Sequence, residues 1–204
     1  MNHPLQPFLP EAALPKVIEL LQEQPVHFTV AQNRHTKWGD YRPPSKAGER
    51  HRLSVNGTLP PQAFLLTLLH EYAHLKVHIM YKNRVEPHGN EWKKCFQDVC
   101  SPFLNEQYFQ PQVLKILIPH MQNPKASASA DAALFKVLLE LDQKSGSLVG
   151  DMKVGWLFEL ENGFKFVMEK QGKKRSLCAR WPDGRKFKVF NLAKVLAFQE
   201  SIPA

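Results

Sequence analysis

The sequence predicts an α+β fold: a helix, a small antiparallel sheet, a long helix and further helices, followed by a small all-β module. The prediction rests on how the apolar residues are spaced. They recur at helical spacing in LLTLLHEYAHL and in several other segments, and they alternate in short segments before it and again from about Gly146 onward. Asn-Gly, Gln-Gly and Asp-Gly pairs, which are typical of hairpin turns, separate the alternating C-terminal segments.

The N-terminal region is predicted to contain one helix and two or three strands. Apolar residues keep helical spacing through PEAALPKVIELLQEQ, and Pro25 ends that helix. The segments HFTVAQ and HRLSVN have the character of strands, while RHTKWGDYRPP between them is a strand or a loop that Gly39 and Pro43 would break. An antiparallel sheet is therefore expected before the long helix.

The long helix is predicted from about Pro61 to about Tyr81, and further helices follow it. Its buried side would be formed by five residues at helical spacing: Leu65, Leu68, Leu69, Tyr72 and Leu75. A second helix is expected in NEWKKCFQDVCSPFL. A short helix in PQVLKILIPHMQNP would end at Pro119 or Pro124, and another, DAALFKVLLELD, follows the polar segment KASASAD.

The C-terminal segments GWLFEL, GFKFVME, KRSLCARW and RKFKVF predict a four-stranded meander with an apolar core. The expected organisation is a catalytic domain over residues 1–125, a linker with a short helix over 126–145, and a small basic β module over 146–204. No internal repeat is evident.

Composition indicates a folded protein whose positive charge is concentrated near the C-terminus. The 204 residues include 27 Lys and Arg and 19 Asp and Glu, for a formal net charge of +8. From Lys144 onward the chain has 12 basic and 6 acidic residues, so attraction for a polyanion such as DNA is expected there. No secretory signal or membrane-length apolar run is evident, so a soluble, cytoplasmic protein without a membrane partner is expected.

The three cysteines, Cys95, Cys100 and Cys178, are too few and too widely spaced for a disulfide framework or a zinc ribbon. Cys95 and Cys100 are predicted to be packing residues. Any bound metal would therefore depend mainly on histidine.

The long helix is predicted to carry a metal site. His70, Glu71 and His74 form an HExxH motif inside the apolar run. Residues four apart lie on one face of a helix, so both imidazoles can bind one metal ion while Glu71 lies beside it. A core helix without a metal would have to bury these polar groups uncompensated, which is costly. The motif is typical of zinc hydrolases, and one Zn²⁺ ion is the expected cofactor.

A zinc hydrolase site usually has three protein ligands and one open position. His78 continues the histidine stripe, but it lies about 12 Å along the helix axis from the first histidine, too far to share an ion. Three candidates follow the helix: Glu86, His88 and Glu91. His88 is preferred because a proline and a glycine flank it and allow a turn toward the helix, and Glu91 is the second choice.

These residues resemble a known family. HEYAH followed by PHGNEW is similar to the SprT-like zinc metalloproteases, which include bacterial SprT proteins and the DNA-repair protease Spartan, and RHTKWGDYR resembles the strand region of that family. The likeness covers about residues 25 to 100, and the C-terminal part resembles some bacterial relatives more weakly. The resemblance implies a zincin-like catalytic domain in which the histidine of the HG motif, here His88, is the third zinc ligand. Many members end in a four-cysteine zinc ribbon, whereas this sequence keeps only Cys178 in that region, so the β module is expected to fold without metal.

The residues and the resemblance together predict a zinc-dependent metalloprotease. Glu71 would act as the general base for a metal-activated water and would then protonate the leaving amine. One more residue is expected to assist the oxyanion or to support the site, and there are three candidates: Tyr81, His78 and Arg84. The resemblance to Spartan implies substrate proteins that are near DNA or crosslinked to it, and a role in DNA repair in the bacterial cytosol or nucleoid.

The basic residues of the β module are the predicted nucleic-acid contacts: Lys173, Lys174, Arg175, Arg180, Arg185, Lys186 and Lys188. Trp181 and Phe190 could stack on bases. The other interpretation of these residues is a solvated basic face over an aromatic core. Two other functions stay open: a zinc-containing DNA-binding or regulatory adaptor with little or no proteolysis, and a metal hydrolase that acts on something other than protein. The sequence does not indicate an oligomeric state.

Overall fold

The computed structural model describes residues 3–32, 37–125, 132–140, 147–160, 162–173, 175–191, 193 and 195–200. The chain divides into two compact units, Met1–Asp142 and Gln143–Ala204. Helices and strands occur in the first unit and an antiparallel sheet in the second, so the predicted α+β class is confirmed. None of the described helices is long and apolar enough to span a bilayer.

The described residues of the first unit form five α-helices, three short 3-10 helices and three strands. The α-helices are α1 (Leu14–Gln22), α2 (Pro61–Tyr81), α3 (Asn90–Cys100), α4 (Pro111–Gln122) and α5 (Ala132–Glu140). The strands are β1 (Val26–Ala31), β2 (Gly39–Arg42) and β3 (His51–Asn56).

The first sheet is mixed, with the strand order β1-β3-β2, so the prediction of an antiparallel sheet is wrong for one pair. β2 pairs antiparallel with β3, and β1 pairs parallel with β3 on its other side. The spacing of apolar residues shows which side chains face the core, but it does not show the direction in which a strand runs. In the segment RHTKWGDYRPP, β2 begins at Gly39, and residues 34–36 lie outside the described residues.

Helix α2 begins and ends where the prolines and the apolar spacing predict. Before it, the N–H of Thr58 donates to Oδ1 of Asn56 at 3.2 Å and closes the turn after β3. Pro61 then occupies the first helical position, where its missing N–H costs nothing. The five residues predicted to form its buried side are all buried. Because β2 and β3 pack on one side of α2 and α3 packs on another, the helix is enclosed over most of its length.

Helices α4 and α5 complete the core of the first unit. Pro119 lies inside α4, which continues to Gln122, so of the two predicted ends only the later proline, Pro124, fits. The last turn forms after Pro119 because His120 and Met121 are buried in it. α5 packs on α4 and α2, and its Leu134 and Leu138 belong to the same apolar core.

The second unit contains a five-stranded antiparallel sheet with the strand order β7-β6-β5-β4-β8. Its strands are β4 (Leu157–Leu160), β5 (Lys165–Lys170), β6 (Arg175–Arg180), β7 (Lys186–Phe190) and β8 (Val195–Gln199). The predicted four-stranded meander is wrong by one strand, because β8 returns to pair with β4. In VLAFQ only Val195 is buried, so β8 has no alternating pattern to mark it. Cys178 is a buried free thiol in the core of this unit.

Candidate metal centre

Three histidines from α2 and the following loop meet at one point. His70 and His74 lie one turn apart on α2, and His88 lies in the loop before α3. Nε2 of His74 is 3.2 Å from Nε2 of His70 and 3.0 Å from Nε2 of His88. Ligand atoms in a tetrahedral zinc site with bonds near 2.0–2.1 Å would be roughly 3.3 Å apart. The three imidazoles therefore form a group that could hold a metal ion.

Trp92 packs against all three of these imidazoles. The centroid of its ring lies 4.7 Å from that of His70, 5.3 Å from that of His74 and 4.8 Å from that of His88. The indole is fully buried, and Phe96, one turn further along α3, stacks on it at a ring-centroid distance of 4.9 Å. The packing of α3 on α2 therefore restricts the orientation of each candidate ligand.

A change at Trp92 is expected to weaken metal binding without unfolding the chain. The variant Trp92→Phe keeps an aromatic ring but loses part of the surface that holds the imidazoles, so zinc affinity should fall by about tenfold, as it does when outer residues of a metal site are changed. Competition with a coloured chelator measures this. Trp156→Phe, in the second unit, is the matched control. Equal affinities in the two variants would mean that Trp92 only fills the core.

Burial keeps the candidate ligands neutral. Desolvation lowers the pKa of His74 to about 4, with a smaller contribution from the charge of His88. Desolvation, and then the charges of His74, His88 and His120, lower the pKa of His70 well below its ordinary value, and burial also lowers the pKa of His88. A neutral imidazole is the form that binds a metal ion.

The buried histidines predict how the stability of the metal-free protein changes with pH. Below about pH 6.5 the unfolded chain protonates these imidazoles, while His74 in the folded chain stays neutral down to a pKa of about 4. Because the unfolded state binds more protons, the free energy of unfolding should decrease as the pH falls from about 6.5 toward 4. Urea unfolding of chelator-treated protein tests this. His74→Gln should reduce the slope, and an unchanged slope in this variant would contradict the prediction.

Glu71 is buried against the sheet. It follows His70 on α2, and only 8% of its surface is exposed. Its carboxyl group faces the backbone of Gly39 in β2, so the side chain lies between the long helix and the edge strand. A buried carboxylate next to a metal site is suited to accept a proton from a water molecule.

The other residues considered from the sequence lie elsewhere. His78 packs with Tyr41 and His51 at ring-centroid distances of 6.2 and 5.9 Å. Tyr81 and Glu91 line a separate cavity of about 750 Å³ formed by α1, α2 and α3. Arg84 and Glu86 are exposed in the loop after α2. Among the described residues, the group that could hold a metal contains His88 and neither of the two glutamates.

Comparison with known proteins identifies the segment that carries this group. A family model matches the chain from residue 20 to residue 114, just under half of its length. Residues 20–114 are similar to the SprT-like family. The predicted resemblance to this family is therefore confirmed over the sheet, α2 and α3. No curated protein and no solved structure matched the chain.

Three residues around the SprT-like site were not predicted from the sequence. Trp92 lies in the quoted motif, but its contact with every histidine depends on how α3 packs. His120 is a buried residue of α4 whose charge lowers the pKa of His70, and a single histidine on an amphipathic helix gives no sequence signal. Gly39 could have been noticed, because a glycine inside a strand often marks a close approach of the backbone.

The basic residues of the second unit lie outside the SprT-like segment and do not form one uniform patch. Lys186 pairs with Glu169 at 2.7 Å, and Arg180 and Arg185 both pair with Asp183. The side-chain hydrogen bond from Arg180 lowers the pKa of Asp183 to about 2. Three other predicted contacts are exposed: Lys173, Arg175 and Lys188. Lys174 lies outside the described residues.

The two faces of the β6–β7 pair differ. The sheet register and the alternation along its strands place Arg175, Lys188 and Phe190 on the face opposite to the buried Cys178. Arg180 lies on the same face as Cys178, where its guanidinium is 5.9 Å from the ring centroid of Phe164 and 5.5 Å from that of Phe187. Trp181 is 39% exposed in the turn that follows β6.

Proposed function

We propose that this chain is a zinc-dependent metalloprotease. One observation carries the proposal: three imidazole nitrogens lie at the spacing of metal ligands, on and after a helix that also buries Glu71 beside them. The match of residues 20–114 to the SprT-like family supports a domain of the metalloprotease type. The pairing of β2 with β3 against α2 supports a zincin-like arrangement of the site.

Zinc is the metal that the donor set fits best. All three candidate ligands are imidazoles, which suit zinc, and burial keeps them neutral. A tetrahedral ion held by His70, His74 and His88 would keep one position open for water or substrate, which is the pattern of a catalytic zinc site. A bound Zn²⁺ would polarise the scissile carbonyl and make a water molecule more acidic.

The residues of the chain supply the proton transfer. The Glu71 carboxylate accepts the proton of the attacking water and then gives it to the nitrogen of the departing amine, which completes the cleavage of the peptide bond. The three residues proposed to assist the oxyanion stay candidates: His78 packs with Tyr41 and His51, Tyr81 lines a separate cavity and Arg84 is exposed.

The proposed substrates are proteins associated with DNA or crosslinked to it. The resemblance to Spartan suggests this class, and the positive charge of the C-terminal part has the sign that a DNA contact needs. Arg175 and Lys188 would contact phosphates on one face of the second sheet, with Phe190 beside them. The other cations would contribute less, because Asp183 and Glu169 form ion pairs with them.

Incubation of the zinc-loaded chain with a disordered protein, with and without DNA and with and without a chelator, tests the proposed function. Cleavage that the chelator stops would support a metalloprotease, and stimulation by DNA would support DNA-associated substrates. Binding to DNA that weakens with salt, without cleavage, would favour the adaptor instead. Chelator-sensitive hydrolysis of a small ester without cleavage of any protein would favour a different hydrolase.

A further inference from the structure

Gly39 lies so close to Glu71 that a side chain at this position would have to displace its neighbours. A Cβ atom built on Gly39 would be 2.6 Å from both Cγ and Oε1 of Glu71, and 2.8 Å from Cγ2 of Thr67. Carbon atoms in contact are ordinarily about 3.5–4.0 Å apart. The absence of a side chain at this position is what allows β2 to lie directly against the carboxyl group on α2.

The backbone conformation of Gly39 does not itself require glycine. Gly39 is absent from the described glycines with positive φ, which are Gly48, Gly155, Gly163 and Gly184. An alanine could adopt the extended conformation of this strand without strain. The requirement for glycine therefore comes from the contact with Glu71 and Thr67.

The strand around Gly39 has little freedom to move away from the helix. The N–H of Asn56 donates to the carbonyl of Trp38 at 2.7 Å, and Gly39 itself pairs with the buried Val55 of β3. The ring of Trp38 stacks on Phe135 of α5 at a centroid distance of 4.3 Å. A methyl group at position 39 would therefore displace the side chain of Glu71 rather than the strand.

We infer that Gly39 is a positioning residue for Glu71: the bare backbone of β2 forms the wall that holds the carboxylate next to the histidines. This inference rests on the proposed function only for the role of Glu71 as the base. The contact between the two residues can be tested without any activity.

The first experiment measures the effect on catalysis. Gly39→Ala should bind one zinc ion per chain like the wild type, because the three atoms nearest to its methyl group belong to Glu71 and Thr67. Its kcat should fall by about a hundredfold, since a displacement of about 1 Å can cost that much, and KM should change little.

Gly57→Ala is the matched control. A Cβ atom on Gly57 would be 2.7 Å from Cγ1 of Val30, so it creates a comparable clash in the same sheet but away from Glu71. This variant should lose stability and keep the kcat and KM of the wild type. If both glycine variants lose activity equally, Gly39 acts through the general stability of the sheet, and the inference is wrong.

The second experiment tests the contact in chelator-treated protein, without reference to activity. Gly39→Ala should lower the melting temperature by about 5 °C, the size expected of an overpacked core position. In a Glu71→Ala background the two nearest atoms are gone and, of the three nearest, Cγ2 of Thr67 remains, so the same substitution should lower the melting temperature by less than half as much. Equal losses in both backgrounds would overturn the inference.

The two experiments separate this inference from the proposed function. If the zinc-loaded wild type cleaves no protein, and Gly39→Ala lowers the melting temperature less in the Glu71→Ala background than in the wild type, the protease proposal is wrong and the contact is established. An active wild type with a fully active Gly39→Ala variant would end the positioning role and leave the protease proposal standing.

Discussion

Replacing Glu71 with glutamine is expected to leave zinc bound and to abolish most of the peptide hydrolysis, with a loss in kcat of about 10²–10⁴-fold. Glutamine has nearly the same shape as glutamate, so it can occupy the same space against Gly39 and leave the three imidazoles in place. Its amide cannot accept the proton of the attacking water. Zinc content by elemental analysis and cleavage of a disordered protein, measured on the same preparation, test both halves of the prediction.

Glu86→Gln is the control for that experiment. Glu86 is an exposed carboxylate two residues before His88, and it is absent from the group that could hold a metal. Its substitution removes the same charge and should leave both zinc and hydrolysis unchanged. Full activity in Glu71→Gln would show that another group takes the proton, and loss of zinc in that variant would show that Glu71 orients the ligands.

The features that the sequence could predict are those set by neighbouring residues. The limits of α2 follow from the prolines at its start and from the apolar spacing along it, and the i, i+4 relation of His70 and His74 follows from helical geometry alone. His88 could be singled out because the turn residues beside it are adjacent in the chain. In each case the physical cause lies within a few residues of its effect.

The features that could not be predicted depend on contacts between distant segments. The parallel direction of β1 is set by its pairing with β3 across the segment that contains β2. The role of Trp92 depends on the packing of α3, and β8 is defined by its pairing with β4. Gly39 shows the limit most clearly. Its sequence context suggests a break in a strand, but the contact that explains it is made with a residue on another element.

The metal site also depends on such long-range packing. Burial lowers the pKa of all three histidines, which means that the fold brings together neutral imidazoles that would otherwise be hydrated or protonated. A metal ion would bind to the imidazole nitrogens that this packing brings together. Metal binding should therefore stabilise the first unit, since a ligand that binds only the folded state shifts unfolding in its favour.

Replacing His88 with alanine is expected to lower zinc affinity by more than about a hundredfold, because even the loss of an outer residue of a metal site costs about 10–100-fold. His88 is the informative ligand to remove: it lies in the loop after α2, so its truncation leaves the buried helix intact, whereas changes at His70 or His74 also disturb the packing of α2 on α3. Zinc content after dialysis and the affinity from chelator competition measure the effect. Circular dichroism should show an unchanged fold.

Two further variants decide whether His88 is the third ligand. His78→Ala removes the next histidine along α2, which packs with Tyr41 and His51, so it should keep zinc. Glu91→Gln changes the other candidate, which lines the separate cavity, and it should also keep zinc. Unchanged zinc in His88→Ala together with lost zinc in Glu91→Gln would require the loop to rearrange when metal binds, because in the structure Nε2 of His88 is 3.0 Å from Nε2 of His74.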